Sequence, residues 1–193
     1  MMVDQLPEEL RALKTQLKTF INEVVIPSEP ELMSEDANSE RVAAELKTKA
    51  KEAGLWALGH PSEIGGGGLP FMDFVYLNEV IGRSHWGQWA VGSLSMQDSI
   101  MLHLYASDEQ RERFLKPLVA GEIYPSVGLT EPEVAGSDPT QMQATAVLDG
   151  DEWVISGHKW FTSGANRAAF TTVFAITEPD AEKHNKFSSI IVP

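Results

Sequence analysis

The stretch VGLTEPEVAGSDPTQM, residues 127–142, separates two parts of the sequence that have different periodicities. It begins as an extended segment, and Pro132 then ends β-pairing because proline has no backbone N–H. Gly136 allows a backbone conformation that other residues resist. The pattern predicts a strand that runs into an irregular turn, with the hydroxyls of Thr130 and Ser137 near a sheet edge. Such an edge suits a planar, hydrogen-bonding ligand, although the tripeptides TEP and GSD taken alone are more often ordinary turns.

Before this stretch, apolar residues recur at spacings of three and four, as on one face of an amphipathic helix. Pro27 should end the first helix near residue 26, Ser39 can cap the second helix, and Gly54 can end it in a left-handed conformation. Three more helices are predicted, over residues 72–81, 92–105 and 107–121. Short connections between amphipathic helices predict a bundle-like, all-α domain over residues 1–123.

After residue 123 the apolar residues alternate, which is typical of strands. Two extended runs meet at the turn Asp149-Gly150-Asp151, a hairpin signal, and two more strands are predicted over 170–176 and 187–192. Residues 124–193 should therefore form an antiparallel β-barrel or sandwich domain, which makes the chain an α+β protein. Because so few strands leave an open edge, we expect this domain to be incomplete at its C-terminal end.

A second informative stretch, ISGHKWFTSGANRAAF, covers residues 155–170. Gly157 lies inside a strand pattern, which indicates a bulge or the close approach of another backbone. Trp160 and Phe161 are neighbours, so on a strand they would face opposite sides, one in the core and one against something flat. Taken alone, two aromatic residues on a strand are more often core residues.

Composition excludes several classes of function. The chain has no cysteine, which excludes disulfides, thiolate metal sites and a cysteine nucleophile. Its net charge of −13 argues against nucleic-acid binding, because phosphate contact requires a clustered cationic surface. No apolar stretch is long enough for a membrane-spanning helix, and the N-terminus lacks the pattern of a secretion signal or transit peptide. We therefore expect a cytoplasmic protein without membrane insertion.

Two further patterns do not indicate binding sites. The run Gly65 to Gly68 lacks the ending of a phosphate-binding loop and the strand that precedes one, so a flexible connection between helices is expected. The five histidines do not pair at metal-ligand spacing, which argues against a metal site.

The two informative stretches together resemble the acyl-CoA dehydrogenase signature: TEPEVAGSD (130–138), a D-G hairpin, then GHKWFTSGA (157–165). The segments EVVIPSEPE, KAKEAGLWALGHPSEIGGGG and SDEQRERFLKPLVAGE resemble that family's N-terminal helical domain, so the likeness covers essentially all 193 residues. The extra residue between TEP and GSD resembles the branch that includes the human family members ten and eleven.

The resemblance implies a set of residues that contact FAD and the substrate. The cofactor-binding residues by this carry-over are Val127, Gly128, Leu129, Thr130, Glu131, Gly136, Ser137, Phe161, Thr162 and Ser163. Ser137 would also contact the acyl-CoA substrate. Without a gap, Phe161 replaces the family's usual tryptophan beside the flavin and Ser163 replaces the threonine near flavin N5, whereas a gapped alignment puts Trp160 in that place.

The activity implied by the resemblance is α,β-dehydrogenation of an acyl-CoA thioester, as in fatty acid metabolism. Electrons would pass from FAD to an electron-transfer flavoprotein, and the full-length family forms homo-oligomers. The family's catalytic glutamate lies on a C-terminal four-helix domain that is absent here, so no catalytic base is assigned, and Glu131 should have a structural role. We expect the chain alone to be inactive and to hold FAD weakly or not at all. An acyl-CoA oxidase, a flavin monooxygenase and a non-catalytic interaction fragment remain alternatives.

Overall fold

The change of periodicity near residue 124 coincides with a division of the fold. The computed structural model describes residues 6–34 and 36–193, and the chain splits into a helical unit that ends at Glu122 and a β unit, Ile123–Pro193. The predicted order, a helical domain followed by a β-sheet domain, is confirmed. The predicted boundary lies one residue from this division.

The helical unit consists of α-helices, most of them joined by short segments, with a longer connection over residues 53–70. Within the described residues these are α1 (Glu8–Phe20), α2 (Ile26–Leu32), α3 (Ala37–Glu52), α4 (Phe71–Ile81), α5 (Gly87–Ala90), α6 (Met96–Tyr105), α7 (Asp108–Gln110) and α8 (Lys116–Ala120). One apolar core joins α1 to α5, and its fully buried side chains include Leu17, Ile21, Leu46, Leu55, Leu77 and Ile81.

The prediction that Pro27 ends the first helix is wrong. A π-helical turn, Ile21–Val25, joins α1 to α2, and the helical path continues to Leu32. In this wider turn the N–H of Ile26 donates to the carbonyl of Ile21, five residues back. The extra residue gives the proline ring room that a regular α-helical turn would deny it. A second π-helical turn, Arg111–Leu115, precedes Pro117 in the same way.

Two other helix boundaries differ from the predictions. Asp36, rather than Ser39, caps α3: its carboxylate accepts a hydrogen bond from the Ser39 N–H at 2.9 Å. The helix predicted over 92–105 begins later, at Met96, and Gly92 lies in the preceding turn in a left-handed conformation with φ of 68°. The prediction at Gly54 is confirmed, since its φ is also 68°.

The glycine run connects helices, as predicted, and two of its glycines lie against neighbouring backbone. A Cβ atom at Gly66 would lie 2.3 Å from the carbonyl oxygen of His60, and one at Gly67 would lie 2.7 Å from Cα of Leu58. His60 itself is fully buried, and its Nδ1 lies 2.7 Å from the Ser99 hydroxyl. Burial lowers the pKa of His60, although the nearby backbone of Gly92 opposes that shift.

The β unit is one five-stranded sheet. Its strands are β1 (Pro125–Gly128), β2 (Thr145–Asp149), β3 (Glu152–Ser156), β4 (Phe170–Ile176) and β5 (Phe187–Val192). The β2–β3 and β4–β5 pairs are antiparallel, as predicted. The sheet is nevertheless mixed, because β1 pairs in parallel with the first half of β4. The long connection from β1 to β4, which contains the β2–β3 hairpin, provides the crossover that a parallel pair requires.

Candidate functional site

The two stretches singled out in the sequence lie side by side in the β unit. Beyond the end of β1, the carbonyl of Leu129 accepts a hydrogen bond from Lys159 Nζ at 3.0 Å. The next carbonyl, that of Thr130, accepts one from the Trp160 N–H at 3.1 Å. Residues 127–131 and 159–163, hereafter the edge segments, are therefore joined through two consecutive carbonyl groups.

A buried ion pair anchors the edge segments to the sheet. Lys159 Nζ lies 2.8 Å from Oε1 of Glu131, and their side chains are only 13% and 3% exposed. Glu131 also accepts hydrogen bonds from the N–H groups of Gln143 at 2.7 Å and Ala144 at 2.8 Å. One carboxylate thus holds three stretches of chain together: the end of β1, the start of β2 and the segment that follows β3.

The electrostatics of Glu131 match a structural carboxylate. Burial alone would raise its pKa, but the Lys159 ammonium and the N–H groups of Gln143 and Ala144 outweigh that effect and hold the pKa below its ordinary value. A general base needs a free lone pair near its substrate, whereas this carboxylate already accepts three hydrogen bonds from the chain.

The strand predicted through residues 160 and 161 ends earlier, at Ser156, the last residue of β3. Gly157 follows with φ of 155°, and a Cβ atom there would lie 2.5 Å from Cβ of Ala144. The close approach expected at this glycine is therefore present, and it ends the strand. Residues 157–169 are irregular, so the alternation expected of strand side chains does not apply to them.

Trp160 and Phe161 lie next to each other in this irregular segment, and the prediction that they face opposite sides of a strand is wrong. Their ring centroids are 4.6 Å apart, with 41° between the planes. Phe161 has φ of 52°, a left-handed conformation that is uncommon for a bulky residue and often found where function constrains the backbone. Its side chain is 77% exposed, against 42% for Trp160.

Unused hydrogen-bond donors lie on the same edge. Among the described residues, the backbone N–H groups of Thr130 and Glu131 have no hydrogen-bond partner. Thr130 and Thr162 are half-buried, whereas Ser163 is exposed. The edge segments therefore present two N–H groups and three hydroxyls beside an exposed phenyl ring.

The turn after the first edge segment folds back on it. A Cβ atom at Gly136 would lie 3.2 Å from Cγ2 of Thr130, so this glycine permits the close approach. Ser137 is exposed in the turn and Asp138 closes it by accepting from the Thr140 N–H at 3.1 Å. Val127, Gly128 and Leu129 are half-buried or buried along β1 and its extension.

Sequence reasoning assigned no role to Lys159, although it lies inside the GHKWFTSGA motif. The signal in the sequence was weak: the lysine adjoins two aromatic residues, and a lysine that is buried there needs a partner. Its partner Glu131 is 28 residues earlier, so only the fold identifies the pair.

The described residues contain no group of three or more histidine, aspartate or glutamate side chains placed to hold a metal ion. Nor does any helix in residues 6–34 and 36–193 have the length and apolar character needed to cross a membrane.

Comparisons with known proteins identify the same family over most of the chain. The family models "Acyl-CoA dehydrogenase, N-terminal domain" and "Acyl-CoA dehydrogenase, middle domain" match residues 7–122 and 126–193. Mouse acyl-CoA dehydrogenase family member 10 is 35% identical over 95% of this chain and 18% of its own length. Mouse family member 11 is 32% identical over 93% of this chain and 24% of its own length.

Among solved structures, the Tcur3481–Tcur3483 steroid acyl-CoA dehydrogenase superposes with a TM-score of 0.77 at 31% identity, over 100% of this chain and 49% of that one. The chain therefore spans half or less of the length of each of these relatives.

Proposed function

Because the chain belongs to the acyl-CoA dehydrogenase family, we propose that its edge segments form one side of an FAD site in an enzyme that oxidises an acyl-CoA thioester between Cα and Cβ. One observation carries this proposal. The first edge segment has two unused donors, the N–H groups of Thr130 and Glu131, and it is hydrogen-bonded to the second edge segment, which carries the exposed Phe161 ring. An isoalloxazine ring is flat and rich in hydrogen-bond acceptors, so an aromatic surface beside N–H and O–H donors fits it.

The proposal gives each edge residue a part in holding the cofactor. The N–H groups and the Thr130 hydroxyl donate to the polar edge of the flavin, and the hydroxyls of Thr162 and Ser163 lie toward its reactive nitrogen. Ser137, exposed in the adjacent turn, contacts the acyl-CoA side of the site. The carboxylate of Glu131 makes no cofactor contact in this scheme, because the chain's own donors occupy it.

Phe161, rather than Trp160, is proposed as the aromatic residue next to the flavin. It is the more exposed of the two rings, and the backbone N–H of Trp160 is already used to join the edge segments. The ungapped alignment of the signature places Phe161 in the same position. The left-handed conformation of Phe161 then serves to turn its ring outward.

When bound, FAD supplies the redox chemistry by accepting the hydride that leaves the β-carbon. The chain's own share is to orient the ring and to supply hydrogen-bond donors that are already oriented before the ligand binds. Electron-transfer flavoprotein as the electron acceptor, a homo-oligomeric full-length enzyme, a role in fatty acid metabolism and a cytoplasmic location are parts of the same proposal. They rest on the family resemblance.

The proposal is tested by titrating the ¹⁵N-labelled chain with FAD to millimolar concentration and following its amide resonances. We expect weak binding, with the largest shifts at Thr130, Glu131 and residues 161–163. Adenosine diphosphate, which lacks the isoalloxazine ring, is the matched control ligand and should leave these amides unchanged. Equal responses to both ligands, or FAD-induced shifts that avoid the edge segments, would contradict the proposal.

A further inference from the structure

We propose that Lys159 is a positioning residue for the flavin edge: it holds the Leu129–Thr130 peptide so that the Thr130 N–H faces the ligand. This inference rests on the proposed function for the nature of the ligand, but not for the geometry that it describes.

The first step is the hydrogen bond from Lys159 to the Leu129 carbonyl, 3.0 Å long. The Leu129–Thr130 peptide bond is trans, so its carbonyl and its N–H point in opposite directions. By fixing the carbonyl toward the ammonium, Lys159 directs the Thr130 N–H away from it. That N–H has no partner among residues 6–34 and 36–193, which leaves it available to a ligand.

The adjacent peptide, between Thr130 and Glu131, is oriented in the same way. The Trp160 N–H fixes the Thr130 carbonyl at 3.1 Å, so the Glu131 N–H points away from Trp160 by the same reasoning. Lys159 and Trp160 are consecutive, and together they orient two consecutive peptides of the first edge segment. The pair of free N–H groups is thereby set before a ligand arrives, which lowers the cost of binding.

The third step is the restraint on Lys159 itself. A lysine side chain is flexible, and one hydrogen bond to a carbonyl would not hold it. Glu131 lies 2.8 Å from the ammonium and is 3% exposed. It is fixed in turn by the N–H groups of Gln143 and Ala144 at the start of β2. The ammonium therefore lies at a fixed point relative to the sheet.

A purely structural role for Lys159 makes a different prediction. If the lysine only neutralises the buried carboxylate, then removing both charges together should restore both the folding and the peptide orientation that Lys159→Met loses. If it also positions the Leu129 carbonyl, the double variant Lys159→Met with Glu131→Gln should recover folding but not the peptide orientation. The glutamine can still accept a hydrogen bond from the N–H of Gln143 or Ala144, so the segment that leads into β2 stays attached.

The experiment compares three forms of the whole 193-residue chain: wild type, the double variant and Lys159→Arg. The guanidinium of the arginine can donate to both the Leu129 carbonyl and the Glu131 carboxylate. Lys183→Met is the matched control, because it makes the same change at an exposed lysine of the β unit. The first readout is the amide resonance and solvent exchange of Thr130 without ligand. The second is the dissociation constant for FAD from the same titration.

We expect the double variant to fold, to show a displaced and faster-exchanging Thr130 amide, and to bind FAD about tenfold more weakly than wild type. Lys159→Arg should retain most of the binding, and Lys183→Met should match wild type. An unchanged Thr130 amide in the folded double variant would overturn the inference. If wild type itself shows no response to FAD at the edge segments, the proposed function fails, while the Thr130 amide still decides whether Lys159 positions the peptide.

Discussion

The helical unit buries a continuous set of large aliphatic and aromatic side chains, whereas the buried apolar side chains of the β unit are mostly alanines. The β unit also leaves several large apolar side chains exposed, among them Val147, Leu148, Trp153, Val154 and Phe161. What it buries near its candidate site is the Glu131–Lys159 ion pair. Apolar packing therefore organises the helical unit, whereas a polar contact organises the edge segments of the β unit.

The largest expected effect is that of Lys159→Met on the β unit. This change leaves the Glu131 carboxylate buried without its cation, which should lower the free energy of unfolding by about 3–5 kcal/mol. Hydrogen exchange of β2 and β4 amides measures the loss. Adding Glu131→Gln should recover most of it, because no unpaired charge then remains. A single variant as stable as wild type would show that the pair does not hold the unit together.

In the helical unit, the corresponding change is an apolar truncation. Leu46, 1% exposed, lies in the core, and Leu46→Ala should reduce the free energy of unfolding of this unit by about 2–5 kcal/mol through lost burial and a new cavity. Leu104→Ala removes the same atoms from a side chain that is 58% exposed, and it should change stability by no more than about 0.5 kcal/mol. Urea unfolding followed by far-ultraviolet circular dichroism compares the two. Similar losses for both variants would contradict the account of an apolar core.

A smaller effect is expected at the packed glycine run. In Gly66→Ala the new methyl group meets the His60 carbonyl at 2.3 Å, so the loop has to shift, at a cost of about 1–3 kcal/mol. Gly82→Ala is the matched control, because its nearest contact is 3.3 Å and its φ is −69°. The control should be near neutral by thermal unfolding. If Gly66→Ala is also neutral, the run is looser than its contacts indicate.

Acid should affect the two units over different pH ranges. The pKa of His60 is lowered from 6.5 by burial, so the unfolded chain takes up the proton first and the helical unit should lose stability as pH falls below about 6.5. The pKa of Glu131 is lowered from 4.5, so its contribution to the β unit is present above about 4.5 and is lost only as pH falls through the folded value. Hydrogen exchange of each unit against pH tests the order. His60→Gln should flatten the upper range, and loss of the β unit before the helical unit would contradict the assignment.

Local patterns were sufficient to predict most of the fold. Apolar periodicity located the helices and strands, the Asp149-Gly150 turn predicted the β2–β3 hairpin, and Gly54 gave the end of α3. The continuation past Pro27 could not be predicted, because a π-helical turn is a backbone adjustment that no particular residue type requires. The choice of Asp36 over Ser39 as the cap also had no clear signal, since both residue types are good caps.

The candidate site was only partly predictable, for a different reason. The motif indicated which stretches matter, but the contacts that shape them are distant in sequence. The Glu131–Lys159 pair and the parallel pairing of β1 with β4 both join residues many positions apart. The left-handed conformation of Phe161 is set by the irregular segment that follows Gly157, whereas the sequence pattern favoured a strand there.

The most direct test of the central claim is an isotope-filtered nuclear Overhauser experiment on the chain with millimolar FAD. It detects which protein protons lie close to the isoalloxazine protons, as they would in a pair of aromatic rings with centroids about 4.5–7 Å apart. We expect cross-peaks to the Phe161 ring and to the Thr130 side chain. Cross-peaks confined to other parts of the chain, with none to these two residues, would contradict it.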